Sequence, residues 1–179
     1  MKTLLILQKS LTAIAVILII TGVLTRFGFI DPVGSFESAL EGDVEQKLRT
    51  EAELGNIDSQ NKLGAFLYRQ AGHQDNGDFS ESIAWFKEAS EQQHPIAQMN
   101  LGFAYKAGNG VPTDKEQAIQ LFYNAGLNFL RTGYPLDARD NIFNINKIDS
   151  SHPLKQKLTT AIEVYEKNEQ PPFSEPVFN

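Results

Sequence analysis

The residues best suited to chemistry in this sequence are three histidines, several pairs of carboxylates and a glycine-rich GNG turn at 108–110. The histidines are His73, His94 and His152, and none stands in an H-x-x-H or H-E-x-x-H pattern, so no zinc site is predicted. His94 and His152 each precede a proline, which is typical of a helix start. The chain has no cysteine, which excludes disulfides, thiolate metal sites and a cysteine nucleophile.

The GNG turn does not have the pattern of a phosphate-binding loop. A Walker loop needs G-x-x-x-x-G-K-[ST] after a strand, whereas Gly108 and Gly110 follow a helical pattern and no Lys-Ser/Thr pair follows them. The serines lack a G-x-S-x-G elbow. Carboxylate pairs such as Glu37/Glu41 stand where solvated helix starts would be, although acid catalysis needs a buried carboxyl. We therefore predict no catalytic residue, no cofactor-binding residue and no cofactor.

The N-terminal segment has the pattern of a membrane anchor. Residues 11–24 are almost wholly apolar, and counting to Ile30 gives about the 20 residues that span a bilayer. No small-residue cleavage pattern follows, which favours an uncleaved single-pass anchor over a cleaved signal peptide or a buried core helix. Lys2 and Lys9 precede the span, so the positive-inside rule places the N-terminus in the cytoplasm. Residues 31–179 are then extracytoplasmic, which means periplasmic in a bacterium.

The predicted extracytoplasmic segment is acidic. It carries 13 basic and 22 acidic residues, a net charge of −9. Nucleic acids and anionic membrane surfaces attract basic patches, so neither is expected as the main partner of this segment.

A repeat of helix–turn–helix type occupies the middle of the chain, in 59–90 and 97–126. Leu63-Gly64 aligns with Leu101-Gly102 at an offset of 38 residues. After the turn, Asp78, Ile83, Phe86 and Ala89 align with Asp114, Ile119, Phe122 and Ala125 at an offset of 36. A mid-helix glycine costs about 1 kcal/mol relative to alanine, so the two aligned glycines predict that a neighbouring helix approaches closely.

Local signals mark the ends of the predicted helices. One helix begins at Pro95 and ends before Gly108, and the next begins with a capping box formed by Thr113 and Glu116. A last helix over 153–167 is expected to cap the stack, and the proline-rich tail from 168 is expected to lack regular structure.

The phrase LGFAY-x-x-G-x-GV-P-x-D-x-x-x-A resembles the Sel-one-like repeat, a relative of the tetratricopeptide repeat built as an antiparallel helix pair. The second unit carries Leu101, Gly102, Tyr105, Gly108, Gly110, Val111, Asp114, Ala118, Phe122 and Ala125 at the matching positions. The first unit departs from the pattern, with Leu67 at the tyrosine position and Ser82 where Ala118 stands. Residues 122–153 also resemble a tetratricopeptide unit, more weakly.

This resemblance implies an all-α fold, a short α-solenoid of antiparallel helix pairs behind an N-terminal transmembrane helix. The predicted organisation is a transmembrane segment over 1–30, a linker over 31–42, helical repeats over 43–167 and a tail over 168–179.

The resemblance also implies that a protein partner binds the inner surface formed by the first helix of each unit. The candidate partner-binding residues are Lys62, Phe66, Asn100, Phe103 and Lys106. Three functions follow as hypotheses. The first is a membrane-tethered extracytoplasmic interaction module, and the second is an immunity protein that neutralises a toxin delivered into the periplasm. The third is an enzyme, for instance a hydrolase of cell-wall or antibiotic substrates, for which no motif is present.

Overall fold

A computed structural model describes residues 32–74 and 77–168 of the chain. The chain divides into two compact units, Met1–Gln46 and Lys47–Asn179. The predicted anchor within 1–30 and residues 169–179 of the predicted tail lie outside the described residues. Within the described residues, no helix combines the length and apolarity needed to cross a membrane.

The described part of the chain is entirely helical, which confirms the all-α prediction. Its seven helices are α1 (Pro32–Glu53), α2 (Ile57–Gly72), α3 (Ser80–Glu91), α4 (Pro95–Ala107), α5 (Lys115–Arg131), α6 (Pro135–Ile148) and α7 (Pro153–Asn168).

Residues 32–42, predicted as a linker, are helical in the structure and form the first half of α1. Pro32 suits a first helical position, because its fixed φ is helical and its missing N–H is not needed there. The segment contains Ala39, Leu40 and two glutamates, which favour a helix, and two glycines, Gly34 and Gly42, which the helix tolerates.

Side chains cap several helices as the sequence indicated, with one shift of register. At the start of α4, His94 Nδ1 accepts a hydrogen bond from the Ala97 N–H at 3.1 Å. At the start of α5 the cap is Asp114, whose Oδ1 accepts from the Gln117 N–H at 2.9 Å, and not Thr113 as predicted. A carboxylate also suits the positive end of the helix dipole. Gly108 ends α4 with a φ of +81°, a conformation that glycine adopts without strain.

The helices pack as antiparallel pairs, and the two aligned glycines lie where each pair is closest. A Cβ atom added to Gly64 of α2 would lie 2.7 Å from Phe86 Cδ1 of α3. At Gly102 of α4 it would lie 2.9 Å from Phe122 Cε1 of α5. Both phenylalanines are buried, 2% and 0% exposed. The close approach predicted from the sequence is therefore confirmed.

Helix α5 connects the repeats to the last two helices. Its buried face contributes to one apolar core with α6 and α7, whose buried residues are Ala118, Ile119, Phe122, Phe129, Leu130, Ala138, Ile145, Leu158 and Ile162. Gly126 of α5 lies against Leu158 of α7, where an added Cβ would come within 2.5 Å of Leu158 Cδ2. The pair α6/α7 thus extends the stack beyond the repeats and covers the far side of α5.

Buried glutamines join one helix pair to the next at equivalent places. Gln60 Nε2 donates to the Ala52 carbonyl at 3.3 Å, and Gln98 Nε2 donates to the Ser90 carbonyl at 3.4 Å. The Gln98 Oε1 atom also accepts from Asn128 Nδ2 at 2.8 Å. Because these amides are buried and hydrogen-bonded, they hold the first helix of each unit at a fixed angle to its neighbours.

Candidate partner-binding groove

A half-open cavity of about 320 Å³ lies between the first helices of the two repeats. Its lining residues are Ala65, Tyr68 and Arg69 of α2, Phe86 of α3, and Asn100 and Phe103 of α4. The α2 residues are spaced i, i+3 and i+4, and the α4 residues i and i+3, so each set lies on one face of its helix. We call this surface, together with the exposed residues one turn away on the same faces, the α2/α4 groove.

The walls of the groove are held in place by hydrogen bonds and aromatic packing. Asn100 Nδ2 donates to Asn61 Oδ1 at 3.1 Å, which ties α4 to α2. The Tyr68 ring packs at 6.0 Å from the Phe86 ring, centroid to centroid, and its hydroxyl accepts from Asn109 Nδ2 at 2.6 Å. Ala65 has only a methyl group at this point, which leaves room for the cavity. A pocket with fixed walls loses little conformational entropy when it binds a ligand.

Phe103 is the exposed aromatic residue of the groove. Its side chain is 38% exposed, and its ring meets the fully buried Phe122 ring edge to face, with centroids 5.0 Å apart and planes at 67°. The neighbouring Gly102 allows that approach, because any side chain there would meet the Phe122 ring. Phe103 therefore offers an apolar face that the core holds in position.

Helices α2 and α4 carry more basic than acidic residues, although the chain as a whole has a net charge of −6. Helices α2 and α4 contain three basic residues, Lys62, Arg69 and Lys106, and one acidic residue, Asp58. Asp58 lies at the N-terminal end of α2, where its Oδ1 is 3.0 Å from His94 Nε2. The Arg69 guanidinium lies over the Phe66 ring, with Cζ 5.5 Å from the centroid. No carboxylate of the described residues forms an ion pair with Arg69, so its charge faces solvent beside the cavity.

The predicted site residues occupy different places in this groove. Asn100 and Phe103 line the cavity together. Lys62 and Lys106 are exposed and stand one turn from it, Lys62 before Ala65 on α2 and Lys106 after Phe103 on α4. Phe66 is only 7% exposed and offers little surface to a partner. Its ring packs under the Arg69 guanidinium.

The prediction missed the cavity residues Ala65, Tyr68, Arg69 and Phe86. The spacing of Arg69, seven residues after Lys62, could have placed it on the same helix face. The cavity itself depends on the small size of Ala65 and on the ring positions of Tyr68 and Phe86, which the sequence pattern does not show.

Within 32–74 and 77–168, no three His, Asp or Glu side chains are grouped to hold a metal ion. Hydrogen bonds from the side chain and backbone of Ser80 lower the pKa of Asp78, and those from Ser151 lower the pKa of Asp149. A hydrogen bond from Arg49 lowers the pKa of Glu81. A lowered pKa keeps a carboxyl deprotonated, which is the opposite of what a general acid requires.

Residues 57–94 and 95–127 each match the Sel1 repeat family. The two matches correspond to the helix pairs α2/α3 and α4/α5, and they support the resemblance drawn from the sequence for this part of the chain. Sel1 repeat proteins are generally protein–protein interaction modules.

Two solved structures are similar to the chain. One is a Sel1 repeat protein from Oxalobacter formigenes, with 20% identity, a TM-score of 0.39, and coverage of 64% of this chain and 96% of that one. Another is a protective antigen of uropathogenic Escherichia coli strains that displays an SLR fold. It has 18% identity and a TM-score of 0.31, and the match covers 69% of this chain and 36% of the antigen. A comparison with curated proteins gave no significant match.

Proposed function

We propose that this protein is a membrane-tethered, extracytoplasmic interaction module that binds a protein partner in the α2/α4 groove. The observation that carries the proposal is the cavity between the first helices of the two Sel1 repeats, with the exposed Phe103 ring at its edge. An exposed aromatic residue in a fixed pocket is the kind of residue that contributes most to the binding energy of protein interfaces. Membrane tethering and location are proposed from the apolar segment within 11–30 and the lysines before it.

The binding part of the proposal is tested by photo-crosslinking in intact cells. A photoreactive amino acid is placed at Ala65, which lines the cavity, and at Val164, a partly exposed residue of α7, as the matched control. We expect a discrete adduct from position 65 that is absent from position 164 and that Phe103→Ala reduces. Identical adducts from both positions, or none from position 65, would contradict binding in the groove.

The identity of the captured protein separates the two binding functions that the sequence allowed. A partner made by the same cell and resident in the envelope supports the interaction module. A secreted toxin of neighbouring cells, whose activity the protein inhibits, would instead establish the immunity function.

The membrane part is tested by cysteine labelling, because the natural chain has no cysteine. Lys157→Cys places one thiol on an exposed position of α7. We expect a membrane-impermeant maleimide to label this thiol in cells whose outer barrier is opened and whose inner membrane is intact. The labelled protein should also remain with the membrane fraction. Labelling only after the inner membrane is lysed would place residues 31–179 on the cytoplasmic side.

A further inference from the structure

We propose that the α2/α4 groove recognises an acidic peptide segment that inserts one large apolar side chain between its carboxylates. This inference rests on the proposed function, since it specifies the chemistry of the partner that the groove binds. Two features of the groove carry it, the size of the cavity and the placement of charge around it.

The cavity is large enough to hold one large apolar side chain. Its volume of about 320 Å³ is at the lower end of the roughly 300–1,000 Å³ found for small-molecule sites. Its lining includes the aromatic rings of Tyr68, Phe86 and Phe103 and the amide of Asn100. Aromatic walls favour an aromatic or long aliphatic side chain, because burial of such a group removes the most apolar surface from water.

The charges stand on both sides of this pocket. Lys62 and Arg69 are seven residues apart on α2, which places their Cα atoms about 10 Å apart along the helix with Ala65 between them. Lys106 stands one turn beyond Phe103 on the opposite wall. An extended peptide advances about 3.3 Å per residue, so carboxylates about three residues apart can meet cations on both sides of an inserted side chain.

The basic residues beside the groove disfavour a basic partner. The net charge of −6 for the chain suggests a basic partner, but the acidic residues lie mostly outside α2 and α4. Opposite charges near a binding site increase the association rate and disfavour partners of like charge. A basic peptide entering this groove would meet Lys62, Arg69 and Lys106, while the one carboxylate of helices α2 and α4, Asp58, already contacts His94.

The test is a binding titration of the purified full-length chain with fluorescent peptides blocked at both ends. The first probe has the sequence Gly-Asp-Glu-Phe-Asp-Glu-Gly. The second replaces its four acidic residues with Lys, and the third replaces its Phe with Ala. We expect saturable binding of the first probe alone, weakened when the ionic strength rises from about 0.1 M to about 1 M, where charges are screened beyond about 3 Å.

Variants of the chain assign the binding to the groove. Arg69→Gln should weaken binding of the first probe about fivefold, the upper end for one exposed ion pair. Lys157→Gln also removes one positive charge, but from α7, and should leave binding unchanged. Phe103→Ala should weaken binding at least about tenfold, whereas Phe143→Ala, which removes an exposed ring from α6, should have no effect. Ala65→Met fills the cavity without removing a packed side chain, so it should abolish binding even if Phe103→Ala perturbs the fold.

The outcomes separate this inference from the proposed function. Equal binding of the acidic and basic probes would overturn the charge selection, and equal binding of the Phe and Ala probes would overturn the pocket. If no probe binds while position 65 still crosslinks a cellular protein, the acidic-peptide inference fails and the interaction module stands. If neither binds, both fail.

Discussion

Replacing Gly64 with alanine tests the close packing that brings α2 onto α3. In an open helix this change would stabilise the protein, because alanine is favoured over glycine by about 1 kcal/mol in a helix interior. At Gly64 the new Cβ would lie 2.7 and 2.8 Å from two carbon atoms of the Phe86 ring and 3.2 Å from the Ser82 carbonyl oxygen. The substitution therefore sets helix propensity against steric overlap.

The overlap is expected to outweigh propensity. Carbon atoms pack at about 3.5–4.0 Å, so the Phe86 ring must move by nearly 1 Å. The ring is 2% exposed and cannot turn into solvent, while the Ser82 contact restricts movement of the helix itself. Overpacking of this kind costs about 1–3 kcal/mol. After the propensity gain, Gly64→Ala should lower the free energy of unfolding by about 1 kcal/mol.

Gly72→Ala provides a matched control on the same helix. A Cβ at Gly72 would meet no atom within 4 Å, and its φ is not positive, so this variant should be neutral or stabilised by up to about 1 kcal/mol. Urea denaturation followed by circular dichroism measures both variants. The difference between them should be about 1–3 kcal/mol, the overpacking term alone. If Gly64→Ala is as stable as Gly72→Ala, the glycine is not required by packing and the reasoning is refuted.

Three further predictions concern single contacts. The hydrogen bond from Arg49 lowers the pKa of Glu81 below its ordinary value of 4.5. The bond therefore contributes its full stabilisation above pH 4.5, and this contribution is lost as the pH falls through the pKa of Glu81 in the folded protein. Urea denaturation as a function of pH should therefore show a less stable Arg49→Gln variant at neutral pH that converges with wild type in acid. Asn141→Leu should stabilise the fold by about 1 kcal/mol in thermal denaturation, because Asn141 is fully buried and no group of the described residues donates to its Oδ1. The substitution also removes the hydrogen bond from Asn141 Nδ2 to the Asp137 carbonyl at 2.9 Å, but that carbonyl keeps its helical partner. Destabilisation would contradict that reasoning. Gly108→Ala should destabilise the fold by about 1–2 kcal/mol in urea, through its positive φ and overlap with Thr113 Oγ1, and Thr113→Ala should relieve only the overlap part.

Much of the repeat architecture could be predicted because its determinants are local. The helix ends at Pro95 and Gly108, and the close approaches at Gly64 and Gly102, follow from residue types with few conformational alternatives. Helix α1 is where prediction and structure differ, since 31–42 was predicted as a linker and residues 32–42 are helical. Pro32 stands at the one helical position where proline is well tolerated.

The role of the buried glutamines could not be predicted from the repeat pattern of the sequence. Gln60 and Gln98 are separated by the same 38 residues as the aligned glycines, so the sequence contains the signal that both serve one structural purpose. The purpose, a hydrogen bond to a carbonyl of the preceding helix, appears only when three helices are placed together. The burial of Phe66, which was predicted as a partner-binding residue, could not be derived from the sequence for a related reason. A small rotation of α2 decides whether that ring or Arg69 faces solvent, and the hydrophobic pattern does not fix rotation to that accuracy.

For the proposed binding in the α2/α4 groove, net charge is a poor guide to the partner, because charge is unevenly distributed over the helices. Electrostatic interactions at exposed sites are screened within about 10 Å at moderate ionic strength, so a bound peptide responds to the charges beside it and little to the chain total. Beside the cavity those charges are Lys62, Arg69 and Lys106. The acidic residues elsewhere account for the negative net charge. A protein of negative net charge can therefore carry a groove flanked by basic residues. The titration with acidic and basic peptides shows whether the charges beside the cavity or the net charge of the chain decide which peptide binds.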